Sequence, residues 1–127
     1  MTSGGNYKCI FNLGERTQLV TIQSETNTYR DVETREIWSL AYLGKKRPPY
    51  KVCLRLLEDN ERKKMGAWEM TFNESSDQYY IAFSLKIPAD ADPETMNAAL
   101  QLVTEASDEM EVELEGDLKF LKTEDEY

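Results

Sequence analysis

Residues 79 to 87 constrain this chain most. Tyr79, Ile81, Phe83, Leu85 and Ile87 alternate with Tyr80, Ala82, Ser84 and Lys86. Five apolar positions at a period of two exclude a helix and define a strand with one buried face. Just upstream, Trp68, Met70 and Phe72 alternate with Glu69 and Thr71. Between the two runs lies Asn73-Glu74-Ser75-Ser76-Asp77, a polar turn whose side chains can bond their own backbone. The pair reads as a hairpin.

A helix leads into that hairpin. Pro49 suits a first helical turn, where its missing N–H costs nothing. Tyr50, Cys53, Leu54 and Leu57 follow at i, i+3, i+4 and i+7, which predicts one buried face. Val52 and Leu56 widen it. Glu58, Asp59, Glu61, Arg62, Lys63 and Lys64 are expected in water, with the cations complementing the dipole at the carboxyl end. Gly66 can stop the helix in a left-handed conformation.

The remaining segments extend the same plan. Tyr7, Cys9, Phe11 and Leu13 alternate with Lys8, Ile10 and Asn12, a strand followed by a turn at Gly14-Glu15-Arg16. Leu19 to Ile22 is a second strand, rich in β-branched residues. Gln23 to Glu33 is polar and reads as a connection, with an extended piece near Tyr29 to Val32. Ile37 to Leu43 is a third strand, with Trp38, Leu40 and Tyr42 on one face and Ile37, Ala41 and Leu43 on the other. Apolar residues on both faces suit a central strand or a dimer contact. Asp92-Pro93-Glu94 is a helix start: cap, proline, then an acid in the first turn. Met96, Ala99, Leu100, Val103, Ala106 and Met110 carry that helix to about residue 111.

The resulting order is β-β-β-α-β-β-α. It predicts a two-layer α+β fold, with a largely antiparallel sheet and helices on one face. The chain of 127 residues is enough for one domain and too short for two ordinary ones. The divisions are a flexible start at 1–6, one domain over 7–116 and an acidic tail over 117–127.

Charge and composition narrow the function. Net charge is −9, a field that repels phosphate backbones and anionic membranes. No apolar run reaches the length of a membrane span, and the N-terminus has no signal-peptide core. A cytoplasmic protein is expected, with no nucleic-acid or membrane partner.

Catalytic chemistry has little to work with. The chain contains no histidine, the commonest general base and neutral metal ligand. Cys9 and Cys53 match no metal or redox spacing. Both fall in apolar patterns and are expected as free, buried thiols, with a single disulfide between them the alternative. Asp90, Asp92 and Glu94 have the opening spacing of a calcium loop. Pro93 interrupts it, however, and the later glycine and glutamate are missing. Glu105, Asp108, Glu109, Glu111, Glu113 and Glu115 are dense in carboxylate without basic partners nearby, which reads as a solvated face. No catalytic, cofactor or metal residue is assigned. Lys45, Lys46 and Arg47 stand before a helix amino end, where cations oppose the dipole; a solvated loop or an anion contact would satisfy them. Trp38, Tyr42 and Tyr80, with Lys45, Lys46 and Arg47, are the candidate protein contacts.

One resemblance supports this reading. Leu56 to Leu114 resembles the YbjN family of bacterial sensory-transduction regulators, whose fold is that of the type III secretion chaperones. The pattern is a leucine-rich helix ending in asparagine (Leu56, Leu57, Asn60), then a Gly-aromatic strand (Gly66, Trp68). A strand running into a proline (Leu85 to Pro88) and a helix ending in acids (Met96 to Glu113) complete it. These are packing residues. The resemblance implies a non-enzymatic domain, chaperone-like or regulatory, that is homodimeric and binds another protein without a cofactor. The rival reading is a small-ligand or enzymatic domain with a pocket between helices and sheet.

Overall fold

A computed structural model describes the backbone of residues 6–125 and the side chains of residues 6–115. The expected flexible start therefore falls almost wholly outside the described residues. The elements run β1 (Tyr7–Leu13), β2 (Arg16–Ile22), β3 (Asn27–Tyr29), β4 (Val32–Gly44), α1 (Tyr50–Arg62), β5 (Ala67–Asn73), β6 (Gln78–Pro88) and α2 (Pro93–Asp125). The architecture is the expected α+β one with one strand more than the expected order, because Gln23 to Glu33 is not a plain connection. It holds β3, and its Tyr29–Val32 piece is a tight turn at Arg30-Asp31 that pairs β3 with β4. A single antiparallel sheet has the order β1-β2-β4-β6-β5, with the short β3 paired to the start of β4. The strand with two apolar faces, β4, is central.

Both helices sit on one face and share one core. Val20, Ile37, Ile81, Phe83, Leu85 and Ile87 rise from the sheet to meet Val52 and Leu56 of α1 and Ala99, Val103, Ala106, Met110 and Leu114 of α2. The ring of Trp68 packs edge-on against Phe83, with centroids 5.1 Å apart. Small residues on α2 let that helix lie close over β2, β4 and β6. At its start, Thr95 N–H donates to the Asp92 carboxylate at 2.8 Å, the cap read from the sequence.

Three expectations need correction. First, α1 buries Val52, Leu56 and Asp59, while Tyr50, Leu54 and Leu57 are exposed. The helix is apolar on two sides, so spacing alone selects the wrong one. Second, α2 runs to Asp125, well beyond residue 111. Gly116 interrupts nothing, because a lone helical glycine costs only about 1 kcal/mol against alanine. Residues 117–125 of the expected tail are thus helical in backbone, and 126–127 lie outside the described residues. Third, the pairing of β4 with β6 shifts between Leu40 and Tyr42. This bulge turns Tyr42 opposite Ile81 on the core side, and Leu43 opposite Tyr80 on the other.

The turn at Gly66 leaves no room for a side chain. Its φ is +77°, and a Cβ there would sit 2.7 Å from the Ser84 carbonyl oxygen and 2.9 Å from the Phe83 ring. Both strain and clash oppose any larger residue. Gly66→Ala is expected to lower stability by about 1–3 kcal/mol, read as a lower urea midpoint with unchanged slope.

Candidate functional site

With α1 and α2 on the same side, the opposite face of the sheet has no helix over it. Strand alternation decides what that face displays. Ile10 pairs with Leu19. Val20 and Ser39 pair on the core side, so their neighbours Leu19 and Leu40 turn outward together. Leu40 in turn pairs with Ala82. An apolar row therefore crosses β1, β2, β4 and β6. Ile10 is 70% exposed and Leu19 46%. Trp38, paired with Ser84, and Tyr80, paired with Leu43, flank the row on either side. Both are half-buried.

Polar groups frame this face. Ser84 donates to the Glu36 carboxylate, and Lys86 pairs with Glu36 across the strands. Glu69 lies opposite Ala82. Its carboxyl is raised above the usual range by desolvation and then by the charge of Glu36, with Lys86 opposing.

The six candidate contacts divide between two places. Trp38 and Tyr80 lie on the uncovered face. Tyr42 does not join them: the bulge sends it to the core side, where its hydroxyl donates to the Lys46 carbonyl at 2.8 Å. That bond ties the Lys45–Arg47 loop back to β4 near the amino end of α1. Lys45 and Arg47 are exposed there, and α1 has no acid in its first turn. Ile10 and Leu19 are not singled out by the sequence, and Leu43 reads only as part of the second apolar face of its strand.

The carboxylates of α2 also behave differently from expectation. Asp108 and Glu111 hold Arg16 of β2 at 2.9 and 2.7 Å, and Glu113 holds Arg55 of α1. The cations come from strands and helices far away in sequence, so no local pattern announces them. Glu111 remains raised by desolvation, although Arg16 opposes this. These pairs fasten α2 to β2 and to α1.

Other features are structural. Cys9 and Cys53 are free and partly buried. Among the described residues, no group of three His, Cys, Asp or Glu is arranged to hold a metal ion. Likewise, no described helix is long and apolar enough to cross a membrane. Open cavities with mixed polar and apolar lining lie among the described residues. One of about 590 Å³ lies against Arg55, Glu58, Glu61 and Arg62 of α1; another of about 530 Å³ lies between Asp31–Arg35 and Pro88–Asp90. No family model, curated protein or solved structure matches this chain.

Proposed function

We propose that this domain is a non-enzymatic protein-binding module that docks an apolar segment of a partner protein on the uncovered sheet face. One observation carries the reading. The row Ile10, Leu19 and Leu40, flanked by Trp38, Leu43 and Tyr80, lies on the face opposite both helices. Sheets with a purely solvated face alternate apolar-in with polar-out. A contiguous apolar patch on the outward side marks an interaction surface. Aromatic residues suit such a surface, because each offers a large contact at low entropic cost. The resemblance to the YbjN regulators supports the same class of function, and with it a cytoplasmic, homodimeric protein of regulatory or chaperone-like role.

A paired capture tests it. Tagged wild type and a Trp38→Ser/Leu40→Ser variant are each incubated with native extract, after circular dichroism shows the variant folded. The expected result is one stoichiometric protein retained by wild type and lost from the variant. Equal retention by both, or no stoichiometric protein on either, would overturn the proposal.

A further inference from the structure

The sheet ends at β5 in an edge that is closed at one place and open beyond it. The Asn60 side chain accepts from the Trp68 backbone N–H and donates to the Trp68 carbonyl at 3.4 Å. Both backbone groups of Trp68 therefore point away from β6, so its pairing with Phe83 is of the non-hydrogen-bonded kind. The register of β5 with β6 runs unbroken from Ala67 to Asn73. Met70 and Phe72 share the parity of Trp68, and their N–H and C=O groups face outward too. Among the described residues, nothing does for them what Asn60 does for Trp68.

The side chains at this edge match its backbone. Met70 and Phe72 are 40% and 42% exposed, and Phe72 is held against Tyr79 with ring centroids 4.8 Å apart. On the other side of the strand stands Glu69. It has no hydrogen bond or ion pair among the described residues, and Lys86 opposes its charge only from a distance. β5 contains no lysine, proline or bulge, the devices that guard an edge against pairing. The opposite edge, β1, carries Lys8 and no acid.

We infer that the β5 edge over Met70 to Phe72 receives an extended segment of a partner protein, paired antiparallel, with apolar side chains beside Met70 and Phe72 and a basic one beside Glu69. Strand addition draws affinity from main-chain hydrogen bonds and specificity from alternate side chains. The open N–H and C=O groups of Met70 and Phe72 supply the first. Charge supplies the second: an unpaired Glu69 on a chain of net charge −9 favours a cation across the strands and repels an acidic segment. The sheet is antiparallel throughout, and that pairing is the more stable per residue. Asn60 fixes where the added strand stops, because its amide already fills the place opposite Trp68. This edge is separate from the helix-free face, and the inference does not rest on that face binding anything.

A peptide that alternates valine and lysine, capped at both ends and as long as β5, tests the inference on the full chain by heteronuclear NMR titration. A dissociation constant of about 0.1–1 mM is expected, with the largest shifts at the Met70 and Phe72 amides. The valine N–H groups would face β5, so N-methylating them should weaken binding about tenfold. N-methylating the lysines, whose N–H groups face away, should change it by less than about threefold. Met70→Pro removes an outward N–H that β6 does not use, so the domain should stay folded while binding falls about tenfold. Glu69→Lys should weaken the lysine peptide about fivefold and make a valine–glutamate peptide the better ligand. Shifts confined to β1 or to the helix-free face, equal binding of the valine-methylated peptide, or no binding at about 5 mM would overturn the inference. So would concentration-dependent protection of the Met70 and Phe72 amides in the chain alone, which would seat a second copy on the edge. The Trp38→Ser/Leu40→Ser protein should bind the peptide normally, so failure of the sheet-face reading and failure of this one are separate results.

Discussion

Phe83→Ala is expected to cost about 3–5 kcal/mol of folding stability. Phe83 is fully buried and has the largest side chain among the wholly buried residues. It sits on β6 beside the central strand, paired with both Ser39 and Trp68. Removing the ring takes away its transfer free energy and leaves a cavity bordered by Trp68. A sheet cannot close that gap without moving β5 or β6, so little relaxation is available. The loss is a large part of the roughly 5–15 kcal/mol that holds a domain folded. Urea titration followed by tryptophan fluorescence should show a far lower midpoint. Phe83→Leu, which keeps most of the apolar volume, should cost less than half as much. A Phe83→Ala protein within 1 kcal/mol of wild type, a threshold set by ordinary surface changes of about ±0.5 kcal/mol, would contradict the assigned core.

Asp59→Ala should cost about 2–3 kcal/mol. Asp59 lies on the buried side of α1. It accepts from the Trp68 indole N–H at 2.8 Å and pairs with Lys63 Nζ at 2.8 Å, with Arg55 at 3.7 Å. Beside it, Trp68 N–H donates to the Asn60 side chain. Alanine would strand a buried indole donor and a half-buried ammonium, and the stranded groups set most of the cost. Asp59→Asn keeps an acceptor for the indole and should lose less.

Acid should erase the same contribution. Desolvation pushes the Asp59 carboxyl up, but hydrogen bonds from Lys63 and Trp68, then the charges of Lys63 and Arg55, bring it below the ordinary range. A carboxyl depressed on folding stabilises above its unfolded value of about 3.9. That stabilisation fades as pH falls through the folded value. The gap between wild type and Asp59→Ala should therefore be full at neutral pH and shrink in acid below about pH 4. A gap that widened in acid would show that Asp59 is protonated in the native state.

Much of the fold was legible because alternation and capping are local. The hairpin of β5 and β6, the Asn73–Asp77 turn, the Asp92 cap and the strand around Tyr7 each follow from a few adjacent residues. The candidate surface was half legible. Trp38 and Tyr80 stood out as aromatics on the second face of apolar strands. Tyr42 misled, since a bulge inserts one residue and reverses every later side chain. Nothing in the sequence from Ile37 to Leu43 marks where that insertion falls.

The sequence by itself determined most of the strands and helices, though not β3, the first residues of β4 or the full length of α2, through periods of two and 3.6 and through caps whose partners lie within three residues. It also determined a chain of high negative charge without histidine. Tertiary structure alone decided which side of α1 is buried. That helix offers Val52 and Leu56 on one side and Tyr50, Leu54 and Leu57 on the other, so periodicity is nearly degenerate. The bond from Trp68 to Asp59 and the pairing of Arg55 with Glu113 fix the choice. Tertiary structure also decided that the α2 carboxylates grip Arg16 and Arg55 rather than face only water. It decided as well which residues the helix-free face displays, leaving Ile10, Leu19 and Leu40 uncovered. Each of these depends on contacts between residues distant in the chain, which no local pattern encodes.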